Sequence, residues 1–134
     1  EIDTLIHKLG LAAHICWTGF VDDAEVSGYL TAADAVVLPF RDGASYRRGS
    51  LMAAIRHSCA IVTTQPEVDI PTFKHAENML LFPAGDINAL QQHIMELHHG
   101  GHRHIKAGAQ ALAAEFDWSH IVDACIALYE QVRQ

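Results

Sequence analysis

Short runs of hydrophobic residues alternate along the chain with segments whose apolar positions recur at helical spacing. Each run ends at a Gly, a Pro or a polar break, which is typical of buried strands. Strands that alternate with helices in this way form a parallel sheet with helices on its faces. The pattern therefore predicts a three-layer α/β fold with about four parallel strands. The predicted strands are 14–19 (HICWTG), 34–39 (DAVVLP), 60–64 (AIVTT) and 78–83 (NMLLFP).

The helical segments carry recognisable start signals and apolar faces. Asp22 or Asp23 is predicted to cap the helix before the second strand, and Asp86 the helix after the fourth. A helix over GSLMAAIRHS joins the second and third strands, and residues 98–104 are predicted to turn one C-terminal helix into the next. The predicted inward-facing residues are Val26, Tyr29, Leu30 and Ala33; Ile87, Leu90, Ile94 and Leu97; Ile105, Ala109, Leu112 and Phe116; and Trp118, Ile121, Cys125, Leu128 and Val132.

Composition narrows the class of protein. The chain has 134 residues, half of them hydrophobic and 19% charged, which suits one globular domain with a real core. Its apolar runs are too short to cross a bilayer, and the N-terminus does not resemble a secretion signal. Cys16, Cys59 and Cys125 are an odd number and widely spaced, so we expect buried free thiols in a reducing compartment. These features together predict a cytoplasmic protein.

The distribution of charge is uneven. Nine Lys and Arg face sixteen Asp and Glu, and the resulting formal net charge of -7 argues against a nucleic-acid partner. Four of the nine cations nevertheless lie within residues 41–56, where Asp42 is the only acid. These cations are Arg41, Arg47, Arg48 and Arg56.

The basic segment RDGASYRRGS (41–50) follows a predicted strand and leads into a helix that starts near Gly49 or Ser50. Ligands of parallel α/β sheets bind at the carboxyl ends of strands, and helix N-termini attract anions. Arg47 and Arg48 offer guanidinium forks that match phosphate oxygens, while Gly43 suits a sharp turn. We therefore predict a diphosphate site here, although a solvated turn whose arginines pair with local acids remains the alternative. The phosphate-loop and dinucleotide fingerprints are both absent.

Several stretches, taken in order, resemble a known family: residues 17–64, ENMLLFPAGDINAL and EFDWSHIVDACIALY. They are similar to the C-terminal, donor-binding domain of retaining nucleotide-sugar glycosyltransferases of family 4 (group 1). The resemblance implies half of a B-type, Rossmann-like fold, with residues 1–134 as one partial nucleotide-sugar-binding domain. It also implies a hexosyltransferase-type enzyme with a nucleotide-sugar donor and no other cofactor. The isolated chain would be inactive, because the acceptor domain is not part of it.

The same resemblance assigns roles to particular residues. Gly19, Phe20 and Val21 should lie near the nucleotide base. Arg47, Arg48, Gly49 and Ser50 should face the donor diphosphate. The preceding donor loop would consist of Arg41, Asp42, Gly43, Ala44 and Ser45. The paired glutamates of the family, which face the sugar and the ribose, fall on Ser45 and Ala53, so both carboxylates are missing.

Other residues suggest alternative sites and functions. His98, His99, His102 and His104 suggest a metal site, but a Gly-Gly pair interrupts them, which favours a solvated turn and no metal. Tyr46 is expected either to stack on a base or to cover the loop, and Glu67 either to face the sugar or to be an ordinary loop residue. Trp17 and Trp118 are expected in the core or at a domain edge. No catalytic residue is assigned, and a non-catalytic nucleotide-binding module or a protein-interaction domain remains an alternative function.

The resemblance also leads to a prediction about association. Two β-α units that open the family's donor domain are absent, so strand 14–19 would lack its neighbours and leave open sheet edges. Open apolar edges pair with other chains. We therefore expect a homodimer or a strand-exchanged assembly in analytical ultracentrifugation. A clean monomer at high protein concentration would contradict this expectation.

Overall fold

The computed structural model describes residues 1–133 and contains a sheet of three parallel strands in the order β1-β2-β3. These strands are β1 (Val36–Leu38), β2 (Ile61–Thr64) and β3 (Leu80–Phe82). Val37 pairs with Val62, and Thr63 pairs with Leu81. The central strand β2 is buried along its whole length. The predicted parallel α/β architecture is confirmed, with one strand fewer than expected.

Helices occupy most of the remaining chain, and their starts follow the predicted signals. Asp22 accepts a hydrogen bond from the Glu25 amide and Asp86 from the Ala89 amide, each at 2.9 Å. A π-helical turn over Leu97–Gly101, with a φ of 110° at Gly100, joins α4 to α5 as predicted for residues 98–104. None of the helices within residues 1–133 is long and apolar enough to span a membrane. The helices are α1 (Ile2–Lys8), α2 (Asp23–Ala32), α3 (Gly49–Arg56), α4 (Ile87–Glu96), α5 (His102–Glu115) and α6 (Trp118–Val132).

The core has two parts, one on each face of the sheet. Ile61 of β2 belongs to the cluster with Leu51 and Ile55 of α3, whereas Val62 belongs to the cluster with Leu97. This division follows from the strand geometry, because successive side chains point to opposite faces. Helix α5 contributes to both clusters through its buried apolar positions, as its periodicity predicts. The sheet is therefore covered on both faces, and the loops lie at the carboxyl ends of its strands.

Helix α5 also packs closely against the loop that precedes β3. A Cβ atom added at Gly108 would lie 1.9 Å from the carbonyl oxygen of Glu77 and 2.9 Å from the Cα of Asn78. The buried Asn78 holds this loop in place, because its Oδ1 accepts from the Lys74 amide and its Nδ2 donates to the Thr72 carbonyl. Gly108 is therefore required by backbone contact rather than by helix formation.

The prediction of a strand at 14–19 is wrong. Residues Ala12–His14 form a single 3₁₀ turn, and residues 15–18 have no strand partner within the described chain. Of the two positions expected for Trp17, the core is excluded, because this residue is 68% exposed. An apolar run becomes a strand only when a neighbour accepts its backbone hydrogen bonds. No described strand lies beside this run, and β1 remains at the edge of the sheet.

Several burial predictions also fail, and they fail in the same parts of the chain. Cys16 and Cys125 are exposed, so only Cys59 is the buried thiol that was expected for all three. Trp118 is exposed on α6, which has no buried residue. Periodicity identifies the apolar face of a helix but not whether another element covers it. The other predicted inward-facing residues that are exposed are Val26, Tyr29, Ile87, Ile94, Ile121, Leu128 and Val132.

Cys59 differs from the other two cysteines in its surroundings. Its side chain is only 1% exposed, and its Sγ donates to the carbonyl of Leu30 at 3.3 Å. Burial raises the pKa of the Cys59 thiol above its ordinary value, and the charge of Lys106 opposes this rise. Because the folded state holds the thiol proton more tightly, protonation of Cys59 stabilises the fold. This stabilisation is fully present below the pKa that the thiol has in the unfolded chain. It is lost as pH rises through the folded pKa.

Replacing Gly108 with Ala should destabilise the protein. Alanine favours a helix over glycine by about 1 kcal/mol, but the overlap with Glu77 forces the backbone apart, so we expect a net loss above about 2 kcal/mol. Urea unfolding measures the difference. Gly28→Ala in α2 is the matched control, because a Cβ there meets nothing within 4 Å; it should stabilise by about 0.5–1 kcal/mol. Equal behaviour of the two variants would contradict the packing at Gly108.

Alkylation should distinguish the three thiols. At mildly alkaline pH iodoacetamide should modify Cys16 and Cys125 in the native protein, because reaction requires an accessible thiolate. Cys59 should react only after denaturation, because it is buried and its pKa is raised. Peptide mass spectrometry with and without urea measures each site. Modification of Cys59 at the rate of the other two would refute this assignment.

Candidate anion-binding site

The basic loop 41–50 is held against the end of the central strand. Gly43 is buried with a φ of +76°, and a Cβ added there would lie 2.5 Å from the Gln65 carbonyl oxygen. The amide of Ala44 donates to the carbonyl of Thr64 at 3.3 Å. Only glycine combines this backbone conformation with so close an approach. The turn predicted at Gly43 is therefore confirmed, and it attaches the loop to β2.

Two threonine hydroxyls fix the path by which the chain leaves β1. Thr63 Oγ1 donates to the Leu38 carbonyl at 2.7 Å, and Thr64 Oγ1 donates to the Phe40 carbonyl at 2.9 Å. Both threonines are essentially fully buried. The sequence pattern predicts them only as strand residues. The available signal was a pair of hydroxyls at the carboxyl end of a strand with no exposed face, since buried hydroxyls need partners.

An open cleft of about 640 Å³ lies between the loop and the segment that follows β2. It carries both predicted diphosphate-binding arginines together with two carboxylates. The residues that line it are Asp42, Ala44, Ser45, Tyr46, Arg47, Arg48, Glu67, Val68 and Ile70. Glu67 thus shares a cleft with the arginines, and Ser45 lies in it at one of the positions where the family resemblance places a glutamate.

The two arginines of the cleft differ in their partners. Arg48 forms an ion pair with Asp42, and its Cζ lies 4.9 Å from the centre of the Phe40 ring, a cation–π arrangement. Arg47 is exposed and forms no ion pair with any of residues 1–133. Pairing with a local acid, the simpler interpretation of the loop, therefore holds for Arg48 and does not hold for Arg47.

Helix α3 starts directly after these arginines. Its first residue is Gly49, as predicted, and Arg48 occupies the N-cap position. No side chain of the described chain caps this end. The first amides of any α-helix lack intrahelical acceptors and carry partial positive charge. Gly49 and Ser50 therefore bring hydrogen-bond donors next to two guanidinium groups.

Tyr46, which also lines the cleft, connects the loop to residues 72–73 and to Phe116. Its hydroxyl hydrogen-bonds to that of Thr72, and its ring lies edge-on to Phe73 at 5.1 Å between centroids. A third ring, that of Phe116, lies at 5.4 Å. These contacts are those expected if Tyr46 covers the loop, and its stacking on a base stays a prediction. The aromatic cluster ties the loop to the end of α5.

The remaining predicted residues lie elsewhere. Gly19, Phe20 and Val21 do not line the cleft formed by the described residues, and Phe20 is fully exposed. Their assignment to the nucleotide base stays a prediction. Arg41 points to a different, smaller cavity of about 220 Å³, beside Asp86 at the start of α4.

The histidines bond mainly to backbone. His99 Nδ1 is 2.7 Å from the Met95 carbonyl, and His104 Nε2 is 3.0 Å from the Ala76 carbonyl. His57 lies between the Ala53 carbonyl and the Ser27 hydroxyl, at 2.8 and 2.7 Å. Among residues 1–133 no group of three His, Cys, Asp or Glu side chains is arranged to hold a metal ion.

Known proteins resemble this chain in sequence and in fold. The family described as glycosyl transferases group 1 matches residues 1–100. A phosphatidyl-myo-inositol mannosyltransferase from Mycobacterium leprae (strain TN) is 29% identical over 126 residues, which cover 92% of this chain and 33% of that protein.

The structural comparison agrees with the sequence comparison. Sucrose-phosphate synthase from Thermosynechococcus elongatus superposes with a TM-score of 0.74 over 98% of this chain, at 24% identity, and 33% of that protein is covered. The likeness confirms the expected half of a B-type fold. This chain thus spans about a third of the length of both proteins. Because the family match extends over most of its residues, the chain belongs to the group 1 glycosyl transferases.

Proposed function

We propose that the cleft beside α3 binds the diphosphate of a nucleotide-sugar donor for retaining glycosyl transfer. The observation that carries this proposal is Arg47, a cation without an ion-pair partner among residues 1–133, in the same cleft as Arg48. The uncapped start of α3 follows immediately. Guanidinium forks and helix amides are the groups that recognise phosphate oxygens.

The same groups suit the chemistry of transfer. As the bond between the anomeric carbon of the donor sugar and the diphosphate oxygen breaks, the diphosphate leaves with the electron pair and negative charge accumulates on it, while the acceptor oxygen bonds to the sugar. Fixed donors aimed at that charge lower the barrier, and they are more effective when their positions are set before the reaction. The loop meets this requirement, because Gly43 and Ala44 attach it to the end of β2. Arg47, Arg48, Gly49 and Ser50 would accordingly stabilise the leaving group.

The sugar and the acceptor require more than this cleft. Ser45 and Ala53 stand where the family resemblance places carboxylates, so the hydroxyls of the sugar and ribose must find other acceptors. Glu67 is one candidate, since it lines the cleft. The chain spans a third of its relatives, and we expect no turnover from it alone. A hexosyl donor and a cytoplasmic location are part of the same proposal.

A second function is favoured by the two missing carboxylates. A non-catalytic module would use the arginines and the start of α3 to bind a nucleotide diphosphate without reading the sugar. Calorimetric titration with UDP, GDP and ADP and with their sugar conjugates separates the two functions. Tighter binding of a sugar conjugate than of its free nucleotide supports the transferase. Equal affinities support the module.

Replacing Arg47 with Gln should weaken the binding of nucleoside diphosphates by about 10- to 100-fold. This range corresponds to the loss of one charged hydrogen-bonding group. Isothermal titration calorimetry measures the change. Arg103→Gln on α5 removes the same charge from an exposed position outside the cleft and should have little effect. An unchanged affinity for Arg47→Gln, or an equal loss in both variants, would show that the assigned cleft is wrong.

A further inference from the structure

Arg48 is already paired with an anion of its own chain. Its guanidinium contacts the carboxylate of Asp42 inside the proposed diphosphate cleft. We propose that Asp42 is a resident counter-ion that holds the anion position at Arg48 and must be displaced when a diphosphate binds. This inference rests on the proposed function and adds a residue that sets the affinity of the same site.

The position of Asp42 is determined by the fold around it. Asp42 lies in the turn after β1 and immediately precedes Gly43, whose backbone packs against that of Gln65 and Glu67. The backbone next to the carboxylate is therefore held firmly. The side chains of Asp42 and Arg48 are 65% and 33% exposed, so an incoming anion can reach both.

The orientation of Arg48 has a second support. Its guanidinium lies over the Phe40 ring, with 4.9 Å from Cζ to the ring centre. Phe40 in turn is fixed through its carbonyl by Thr64 Oγ1. The ring is therefore a second contact that can hold the guanidinium when Asp42 is replaced. The main effect of Asp42 is to occupy N–H groups that a phosphate would use.

Electrostatics favours displacement over shared binding. The cleft carries two positive charges, on Arg47 and Arg48, and two negative charges, on Asp42 and Glu67. A diphosphate brought beside Arg48 would meet the Asp42 carboxylate at short range, and like charges repel. Glu67 has no ion-pair partner within residues 1–133, so it exerts only the general repulsion of a nearby acid. Asp42 adds direct competition for one guanidinium.

Competition of this kind discriminates between ligands. A carboxylate on the same chain acts at high effective concentration. It weakens every anion that requires Arg48, whereas a ligand held by Arg47 alone is unaffected. Ligands with several phosphate contacts overcome this cost, and weakly bound single anions do not.

The test compares matched variants with inorganic pyrophosphate as the probe, by isothermal titration calorimetry. Asp42→Asn keeps the shape of the side chain and suits a turn; it should tighten binding about threefold to fivefold, the range for a surface ion pair. Glu67→Gln removes the same charge from the same cleft and should tighten binding by less. Asp42→Ser provides a second removal of the carboxylate, and circular dichroism verifies that each variant is folded.

A double-mutant cycle isolates the pair. In an Arg48→Gln background the gain from Asp42→Asn should fall to that of Glu67→Gln, because the competed guanidinium is gone. The proposal is overturned if Asp42→Asn binds more weakly, if it gains no more than Glu67→Gln, or if its gain persists without Arg48. If the wild type binds nucleoside diphosphates but the Asp42 and Glu67 variants do not differ in affinity as described, only this inference is refuted. Absence of binding in the wild type and in Asp42→Asn would overturn the proposed function as well.

Discussion

Two buried hydroxyl-to-carbonyl hydrogen bonds at the carboxyl end of the sheet control how the chain leaves β1. Thr63 and Thr64 reach from the central strand to the carbonyls of Leu38 and Phe40, which a purely apolar strand would leave without these partners. The Leu38 carbonyl also accepts from the Phe40 amide at 3.1 Å. Each hydroxyl bond contributes about 0.5–1.5 kcal/mol, so the two together stabilise this exit path over others. The position of Phe40, and with it that of the basic loop, depends on these bonds.

The loop then places the positive charges of Arg47 and Arg48 side by side in a chain whose net charge is -7. Gly43 attaches it to the segment after β2, Tyr46 braces it against Phe73, and α3 begins directly after Arg48. These contacts are mostly apolar or between backbone groups, and they hold the cations without neutralising Arg47. A surface turn without such anchors would lose conformational freedom on binding a ligand, which lowers affinity. The scaffold thus accounts for the preorganisation that the proposed diphosphate site requires.

Membership of the group 1 glycosyl transferases describes the fold of this chain and does not describe the side chains of the cleft. The family match and the structural likeness concern the order of elements and the packing of the sheet. The cleft itself carries Ser45 at one of the two positions where the resemblance implies a glutamate, and it contains an internal ion pair between Asp42 and Arg48. In the proposed function, phosphate recognition and sugar recognition would use different side chains of this loop and helix, so one could change without the other.

The sequence by itself predicted the three parallel strands that are present, a helix start at Asp22 or Asp23 and another at Asp86, and the basic loop before the third helix, because periodicity and capping are local properties of the chain. Tertiary structure alone decided that residues 14–19 do not form a strand and that α6 has no buried face, because both depend on whether a neighbouring element is present. It also decided which arginine is paired. Arg47 and Arg48 are adjacent and chemically identical in the sequence, and only the three-dimensional positions of Asp42 and Phe40 distinguish them.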